Sequence, residues 1–148
     1  MMILGTEKKS LDRKERDYMK NIPTNIKNII DEFVEGVNKI LGDRVEKIIL
    51  YGSYARGDFN KDSDIDIMIL TDLTDDEMYE YFVKISDMAY DIEFCNNFDI
   101  TLSPIVKNID KFNYWLEALP FYMNVQKEGV ILSESKLVKL VEEYINKK

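Results

Sequence analysis

The chain has 148 residues, 45% of them apolar, and a formal net charge of −8 at pH 7, which suits one domain with a sizeable core and argues against binding along the phosphates of long nucleic acids. It contains no histidine and a single cysteine, Cys95, so an internal disulfide and a cysteine-rich zinc site are excluded. Without histidine, acid–base chemistry falls to carboxylates, lysine or tyrosine.

The N-terminal segment, residues 1–22, is highly charged and has no clean hydrophobic period, which predicts an arm that is frayed or ordered only by a partner. It lacks the basic start and long apolar region of a signal peptide, and no segment approaches the about 18–20 apolar residues of a membrane span. We therefore expect a cytoplasmic protein with no membrane contact. Pro23 marks the end of the arm, and residues 23–148 are predicted to form the domain.

A helix and a strand are predicted next along the chain. Apolar residues recur at spacings of three and four over residues 26–41, which predicts a helix with one face in the core, ended by Gly42. The apolar, β-branched run 45–51 predicts a buried strand. Gly52 and Ser53 then form a turn. A glycine there accepts φ > 0 and lets phosphate approach, while backbone N–H groups and the serine hydroxyl can donate to phosphate oxygens.

The second strand is predicted at residues 64–70 and carries two acidic side chains. Because side chains alternate along a strand, Asp64 and Asp66 point to the same face. Two carboxylates so placed repel each other unless a cation lies between them, and Mg²⁺ prefers such hard oxygen ligands, filling its shell with water and substrate phosphates. A lone Asp-x-Asp or Gly-Ser is usually a strand end or a turn, but together they predict a site for a nucleoside triphosphate and magnesium.

The remaining chain adds helices and two more strands. Thr74 and Glu77 form a capping box at the start of a long helix. Its buried face is predicted to comprise Met78, Phe82, Ile85, Met88, Ala89 and Ile92. A third strand, a short helix, an edge strand and a final helix are predicted at residues 100–106, 121–128, 130–132 and 137–145. This order predicts an α/β (α+β) domain with a mixed sheet and helices packed mainly on one face.

Residues 50–70, LYGSYARGDFNKDSDIDIMIL, contain the Gly-Ser pair, the Ala-Arg-Gly at 55–57, an Asp-Ser-Asp lead-in and the Asp-x-Asp. This segment closely resembles the signature of the nucleotidyltransferase superfamily related to DNA polymerase beta, in the small single-domain form called minimal nucleotidyltransferases. ITLSPIV at 100–106 and PFYMNVQKEGVIL at 120–132 look like the same group. The resemblance therefore covers residues 25–132.

The resemblance implies a reaction with two Mg²⁺ ions, in which a nucleoside monophosphate, AMP from ATP, passes to an acceptor hydroxyl and pyrophosphate is released. Asp64 and Asp66 would bind both ions, and a third carboxylate on the following strand would help one ion activate the hydroxyl. Asp99 is our candidate for that third catalytic and metal-binding acid, with a turn-forming acid as the alternative reading. In several relatives, as we align them, the acid falls at Thr101. Two weaker candidates are Asp91 and Glu93.

The predicted nucleotide-binding residues are Gly52, Ser53 and Arg56. The turn would hold the terminal phosphates, and the Arg56 guanidinium matches phosphate geometry bidentately. A surface ion pair with Asp58 or Asp62 is the alternative for Arg56.

The acceptor of the nucleotide is left open by the residues themselves. The resemblance implies a protein partner, because minimal nucleotidyltransferases commonly occur as antitoxins that transfer AMP to a tyrosine of an all-helical HEPN-type toxin. The alternatives are transfer to a small molecule such as an aminoglycoside, and a catalytically weak nucleotide-binding subunit that serves a partner protein.

Overall fold

The computed structural model describes residues 21–147, and the structural statements below refer to that range. The predicted arm therefore lies outside the described residues apart from Asn21 and Ile22. The side chain of Ile22 is 4% exposed and belongs to the core. Within the described range, no helix is both long enough and apolar enough to cross a membrane.

The centre of the fold is a four-stranded sheet with the order β3-β2-β1-β4. Its strands are β1 (Val45–Tyr51), β2 (Ile65–Thr71), β3 (Leu102–Asn108) and β4 (Val130–Glu134). β1 lies antiparallel to both β2 and β4, whereas β2 and β3 are parallel. The mixed sheet is thus confirmed, and the predicted edge strand is β4.

Within residues 21–147, six α-helices surround the sheet. They are α1 (Thr24–Leu41), α2 (Ser53–Arg56), α3 (Asp75–Cys95), α4 (Ile109–Trp115), α5 (Pro120–Glu128) and α6 (Lys136–Asn146). The two long helices, α1 and α3, cover one face of the sheet, where their apolar stripes pack on alternate strand residues such as Ile65, Ile67 and Ile69. On the other face, Phe112 of α4 and Val125 of α5 pack against strand residues that include Ile49, Met68 and Leu70.

The structure differs locally from the sequence-based predictions. Phe82 is 40% exposed, because the buried stripe of α3 passes through the half-buried Tyr81 to Ile85 and leaves Phe82 on the solvent side. The third strand begins at Leu102, two residues later than predicted. Helix α4 was not predicted; its start is capped by the Asn108 side chain, which accepts a hydrogen bond from the Lys111 N–H at 3.1 Å.

The predicted capping box of α3 is confirmed: the side chain of Thr74 accepts from the N–H of Glu77, and the Glu77 carboxylate accepts from the N–H of Thr74. Arg44 reinforces this start by donating to both Glu77 oxygens, at 2.7 and 2.9 Å, and to Asp72 at 2.5 Å. The hydrogen bonds from Arg44, followed by those from Thr74, lower the pKa of Glu77 to about 2. These contacts join the residue before β1 to the connection between β2 and α3.

Gly129 sets how closely the end of α5 approaches β1. Its N–H donates to the carbonyl of Val125 at 2.8 Å and closes the last turn of the helix. A Cβ at this position would collide with that same carbonyl oxygen and with a methyl group of Ile49. The backbone therefore passes where no side chain fits, and the preceding residue, Glu128, is brought next to the end of β1.

We expect Gly129→Ala to lower the free energy of unfolding by about 1–3 kcal/mol, because the backbone must shift to relieve the overlap. Gly36→Ala in α1 is the matched control. There the nearest atoms are the flexible end of Met88, with Sδ at 2.8 Å, and alanine favours a helix, so we expect little net change. Urea denaturation of both variants measures the difference. Equal destabilisation would contradict this account of Gly129.

Candidate active site

Antiparallel pairing of β1 and β2 brings the two halves of the predicted motif together. Tyr51, the last residue of β1, is directly opposite Asp66 near the start of β2. The Gly52–Ser53 turn therefore follows β1 at the end of the sheet where β2 begins with the acidic pair. The predicted phosphate-binding turn and the predicted metal ligands share one end of the sheet.

Gly52 is required here for two separate reasons. Its φ of 78° lies in the region that side chains rarely adopt. A Cβ at this position would also overlap an oxygen of the Asp66 carboxylate. The sequence assigned the glycine to close approach by phosphate, whereas in the structure the Asp66 carboxylate itself fills the space that the absent side chain leaves.

The turn continues as one helical turn, α2. The N–H groups of Ala55 and Arg56 donate to the Gly52 carbonyl at 3.1 and 3.0 Å, and the half-buried Ser53 stands at its start. Tyr54 is buried and stacks on Phe59, with ring centroids 4.6 Å apart, which ties the following loop to the core. Packing therefore holds the loop between α2 and β2 close to the Gly52–Ser53 turn.

Asn60 and Ser63 give the rest of this loop its shape. The N–H of Asn60 donates to the Ser63 hydroxyl at 2.9 Å, and the N–H of Asp62 donates to the Asn60 side chain at 2.8 Å. These bonds form a compact turn directly before Asp64, so the polar lead-in of the motif positions the loop. Asp62 accordingly serves the loop backbone, and its carboxylate stays exposed.

Asp64 and Asp66 lie side by side at the entry to β2. Asp64 is exposed just before the strand, and Asp66 is half-buried within it. Side chains two residues apart on a strand point to the same face, so the carboxylate of Asp66 lies with Met68 and Leu70 on the sheet face covered by α4 and α5. Burial, and then the negative charge of Asp64, raise the pKa of Asp66. Adjacent oxygen donors that repel each other fit a divalent cation such as Mg²⁺.

Tyr51 closes this side of the site against α5. Its ring meets Phe121 edge-on with centroids 5.6 Å apart. Burial and the nearby charge of Asp66 raise the pKa of Tyr51 to about 12. The phenol is therefore neutral at physiological pH and does not act as a general base there.

The predicted third carboxylate is not brought to the pair. In the parallel β2–β3 register, Ser103 is opposite Asp66, and the N–H of Ile65 donates to the carbonyl of Thr101 at 2.8 Å. Asp99 is exposed in the turn before β3, where its N–H donates to Asn96 at 3.1 Å. The register does not support Asp99 as a metal ligand, and that role stays a prediction.

The two weaker candidates have other surroundings. Glu93 accepts a hydrogen bond from the N–H of Leu102 at 2.8 Å and so ties the end of α3 to the start of β3. Asp91 lines a groove between α1 and α3 together with Glu32 and Lys39, away from β2. Within residues 21–147, no three acidic, cysteine or histidine side chains form a cluster that could hold a metal ion.

Glu128 is the site residue that sequence reasoning missed. Its Oε1 accepts from the N–H of Gly52 at 3.3 Å and from Nη1 of Arg56 at 3.1 Å, and its Oε2 accepts from the same Nη1 at 3.3 Å. Arg56 also donates from Nε to Asp58 at 3.2 Å, so the predicted surface pair is present as well. A possible signal was the position of Glu128: an acid in the last turn of a helix faces the negative end of the helix dipole and needs a partner elsewhere.

Asp66→Asn should stabilise the metal-free protein at pH 7, raising its melting temperature by about 1–4 °C. Because the pKa of Asp66 is raised on folding, the protonated side chain is compatible with the folded state, whereas the ionised one costs stability. The cost is absent below the ordinary pKa of an aspartate and is complete once pH has risen through the raised value. Asparagine removes that cost, so the gain should disappear in acid. Asp87→Asn, at an exposed position of α3, is the control. Thermal melts in a chelating buffer from pH 3 to pH 7 test this, and a lower melting temperature for Asp66→Asn at pH 7 would contradict it.

Comparisons with a family model and with curated proteins agree on one family for this chain. A model described as the nucleotidyltransferase domain matches residues 26–132. A relative from Methanocaldococcus jannaschii, named as a candidate protein adenylyltransferase, is 34% identical over 112 residues, which cover 73% of this chain and 98% of the relative.

One solved structure shows the same fold. A candidate nucleotidyltransferase from Sulfolobus solfataricus has a TM-score of 0.53 at 17% identity, covering 86% of this chain and 92% of that one. A chain from a toxin–antitoxin crystal structure with AMP-PNP has a TM-score of 0.43 at 18% identity, covering 77% of this chain and 86% of that one. The second similarity is too low to support an inference.

Proposed function

This chain belongs to the nucleotidyltransferase domain family and is a nucleotidyltransferase enzyme, and on that premise we propose that it transfers AMP from ATP, with Mg²⁺, to a hydroxyl group of a partner protein. The observation that carries the proposal is the contact between Gly52 and the Asp66 carboxylate. This contact joins a turn suited to phosphates with an acidic pair suited to a divalent cation. The turn alone, or the acidic pair alone, has a structural explanation. Side by side, they supply the donors for phosphate and the ligands for a cation that a metal–triphosphate site requires.

The reaction requires the acceptor oxygen to bond to the α-phosphorus while the bond from that phosphorus to the bridging oxygen breaks. Pyrophosphate leaves with the electron pair of the broken bond, and the hydroxyl proton is released. The Ser53 hydroxyl and the Gly52 N–H would hold the terminal phosphates, and Arg56 would balance their charge. The protein's contribution is therefore positioning and electrostatic stabilisation.

Asp64 and Asp66 would hold the metal. A bound Mg²⁺ neutralises phosphate charge and lowers the pKa of the acceptor hydroxyl. The two aspartates must be ionised for this, and the half-buried Asp66 must stay ionised despite its raised pKa. We propose the two-ion arrangement from the family resemblance; two carboxylates alone account for one ion.

A protein acceptor is supported by the name given to the Methanocaldococcus relative and by the acidic character of this chain. We propose a tyrosine of an all-helical HEPN-type toxin, following the resemblance of the motif to minimal nucleotidyltransferases. The test is a transfer assay with radiolabelled ATP and an all-helical HEPN-type protein as acceptor, taken from a neighbouring reading frame where one encodes it. Label on the partner's tyrosine supports the proposal, and label on a small aminoglycoside instead would favour the alternative.

The metal–triphosphate site is tested most directly by thermal stability. Mg²⁺ and ATP together should raise the melting temperature, because a ligand that binds only the folded state stabilises it by mass action; at a hundredfold excess over Kd the gain is about 2.7 kcal/mol. Asp64→Asn combined with Asp66→Asn should remove the shift. Because this double variant starts from a different stability, each protein is compared with itself without ligand. A full shift in the double variant would place the site elsewhere.

The role of Asp99 is tested by Asp99→Asn in the transfer assay. The register places Ser103, four residues further along, beside Asp66, so we expect the variant to transfer AMP within about threefold of the parent. A loss of at least about a hundredfold with ATP binding intact would instead assign Asp99 to the transition state. If the parent transfers nothing to any acceptor, the catalytically weak nucleotide-binding subunit becomes the better proposal. The observation that favours it is that the register places a serine, Ser103, and no acid opposite Asp66.

A further inference from the structure

Two of the groups assigned above to phosphate, the N–H of Gly52 and the guanidinium of Arg56, are bonded to one carboxylate of the same chain. Glu128 accepts from the N–H of Gly52 at 3.3 Å and from the guanidinium of Arg56 at 3.1 Å. These groups come from the turn after β1, whereas Glu128 ends α5, 76 residues from Gly52 along the chain. A backbone N–H and a guanidinium that converge on one anion form an anion-binding arrangement, and Glu128 occupies it.

The position of Glu128 carries an electrostatic cost. The carboxylate lies at the negative end of the α5 dipole, and its charge adds to that of Asp64 in raising the pKa of Asp66. The bonds from Gly52 and Arg56 offset this cost, so these two donors hold the carboxylate in place. A ligand that takes the same two donors removes what keeps Glu128 there.

We infer that Glu128 is an internal competitor of the triphosphate, which occupies the phosphate donors of the free enzyme and sets its affinity for the nucleotide. This inference rests on the proposed function, because it needs a phosphate ligand at Gly52 and Arg56. The Glu128 side chain is 24% exposed and has a path to solvent. Only the side chain needs to rotate away, since the backbone of α5 is fixed against β1 at Gly129.

Two other roles for Glu128 lead to the opposite result. If the carboxylate positions Arg56 for the phosphates, its removal weakens nucleotide binding with and without metal. If it is a further ligand of the metal, its removal weakens binding only when Mg²⁺ is present. A competitor alone gives tighter binding when it is removed. The sign of the change in Kd, measured with and without metal, therefore separates the three roles.

The experiment is calorimetric titration of ATP into the parent and Glu128→Gln, once with Mg²⁺ and once with a chelator. We expect Kd to fall about two- to fivefold in both conditions, the upper part of the range for a partly exposed ion pair. Asp58→Asn is the matched control, because it removes the other carboxylate on Arg56 and leaves the N–H of Gly52 bonded to Glu128. We expect its Kd to change by less than about twofold. Glu128→Ala, which should give the same direction as Glu128→Gln, serves if the glutamine variant folds poorly.

An unchanged or higher Kd for Glu128→Gln, with the parent binding ATP normally, overturns this inference and leaves the proposed function standing. An equal gain in affinity for Asp58→Asn also overturns it, because removal of any nearby negative charge would then be sufficient. Absence of ATP binding by the parent and every variant overturns the proposed function and the inference with it.

Discussion

The contact between Gly52 and the Asp66 carboxylate is the constraint on which the site depends. The pairing of Tyr51 with Asp66 sets the distance between the two strands, and the missing side chain of Gly52 lets the carboxylate lie against the turn. A side chain at position 52 would overlap the Asp66 carboxylate, so either the turn or the carboxylate would have to shift. Because both flanking strands are buried in a continuous core, neither can move without disturbing the packing of α1 and α3. The scaffold therefore fixes the relative position of the two halves of the site.

The approach of the turn to the acidic pair concentrates negative charge at one end of the two central strands. Burial raises the pKa of Asp66 most, the charges of Asp64 and Glu128 raise it further, and Arg56 opposes them. The free protein holds this arrangement at a cost in stability, as is common where residues are selected for function. A divalent cation would relieve the repulsion within the acidic pair, and phosphates would replace the Glu128 carboxylate on its donors. Metal and nucleotide are thus expected to stabilise each other's binding, because each removes part of the same unfavourable electrostatics.

Sequence patterns predicted the local elements well and their mutual placement poorly, for a physical reason. Helices and strands have periods of 3.6 and 2 that can be read within one segment, so the capping box at Thr74 and the face shared by Asp64 and Asp66 followed from neighbouring residues. Register between distant segments depends on three-dimensional packing. The pairing of Asp66 with Ser103 and the contact of Gly52 with Glu128 join residues far apart in the chain, and no local period encodes them.

The chemistry of proton removal favours a macromolecular acceptor. The chain has no histidine, and the pKa of Tyr51, at about 12, keeps that phenol protonated. The residue opposite Asp66 on β3 is Ser103, and a serine hydroxyl is too weak a base to take the acceptor's proton. Among the described residues, Asp64 and Asp66 are the proposed metal ligands and Glu128 is bonded to Gly52 and Arg56, so no further carboxylate at the site is assigned to activate the hydroxyl. A partner protein can present its hydroxyl beside a base or a cation of its own, so the site suits an acceptor that completes it.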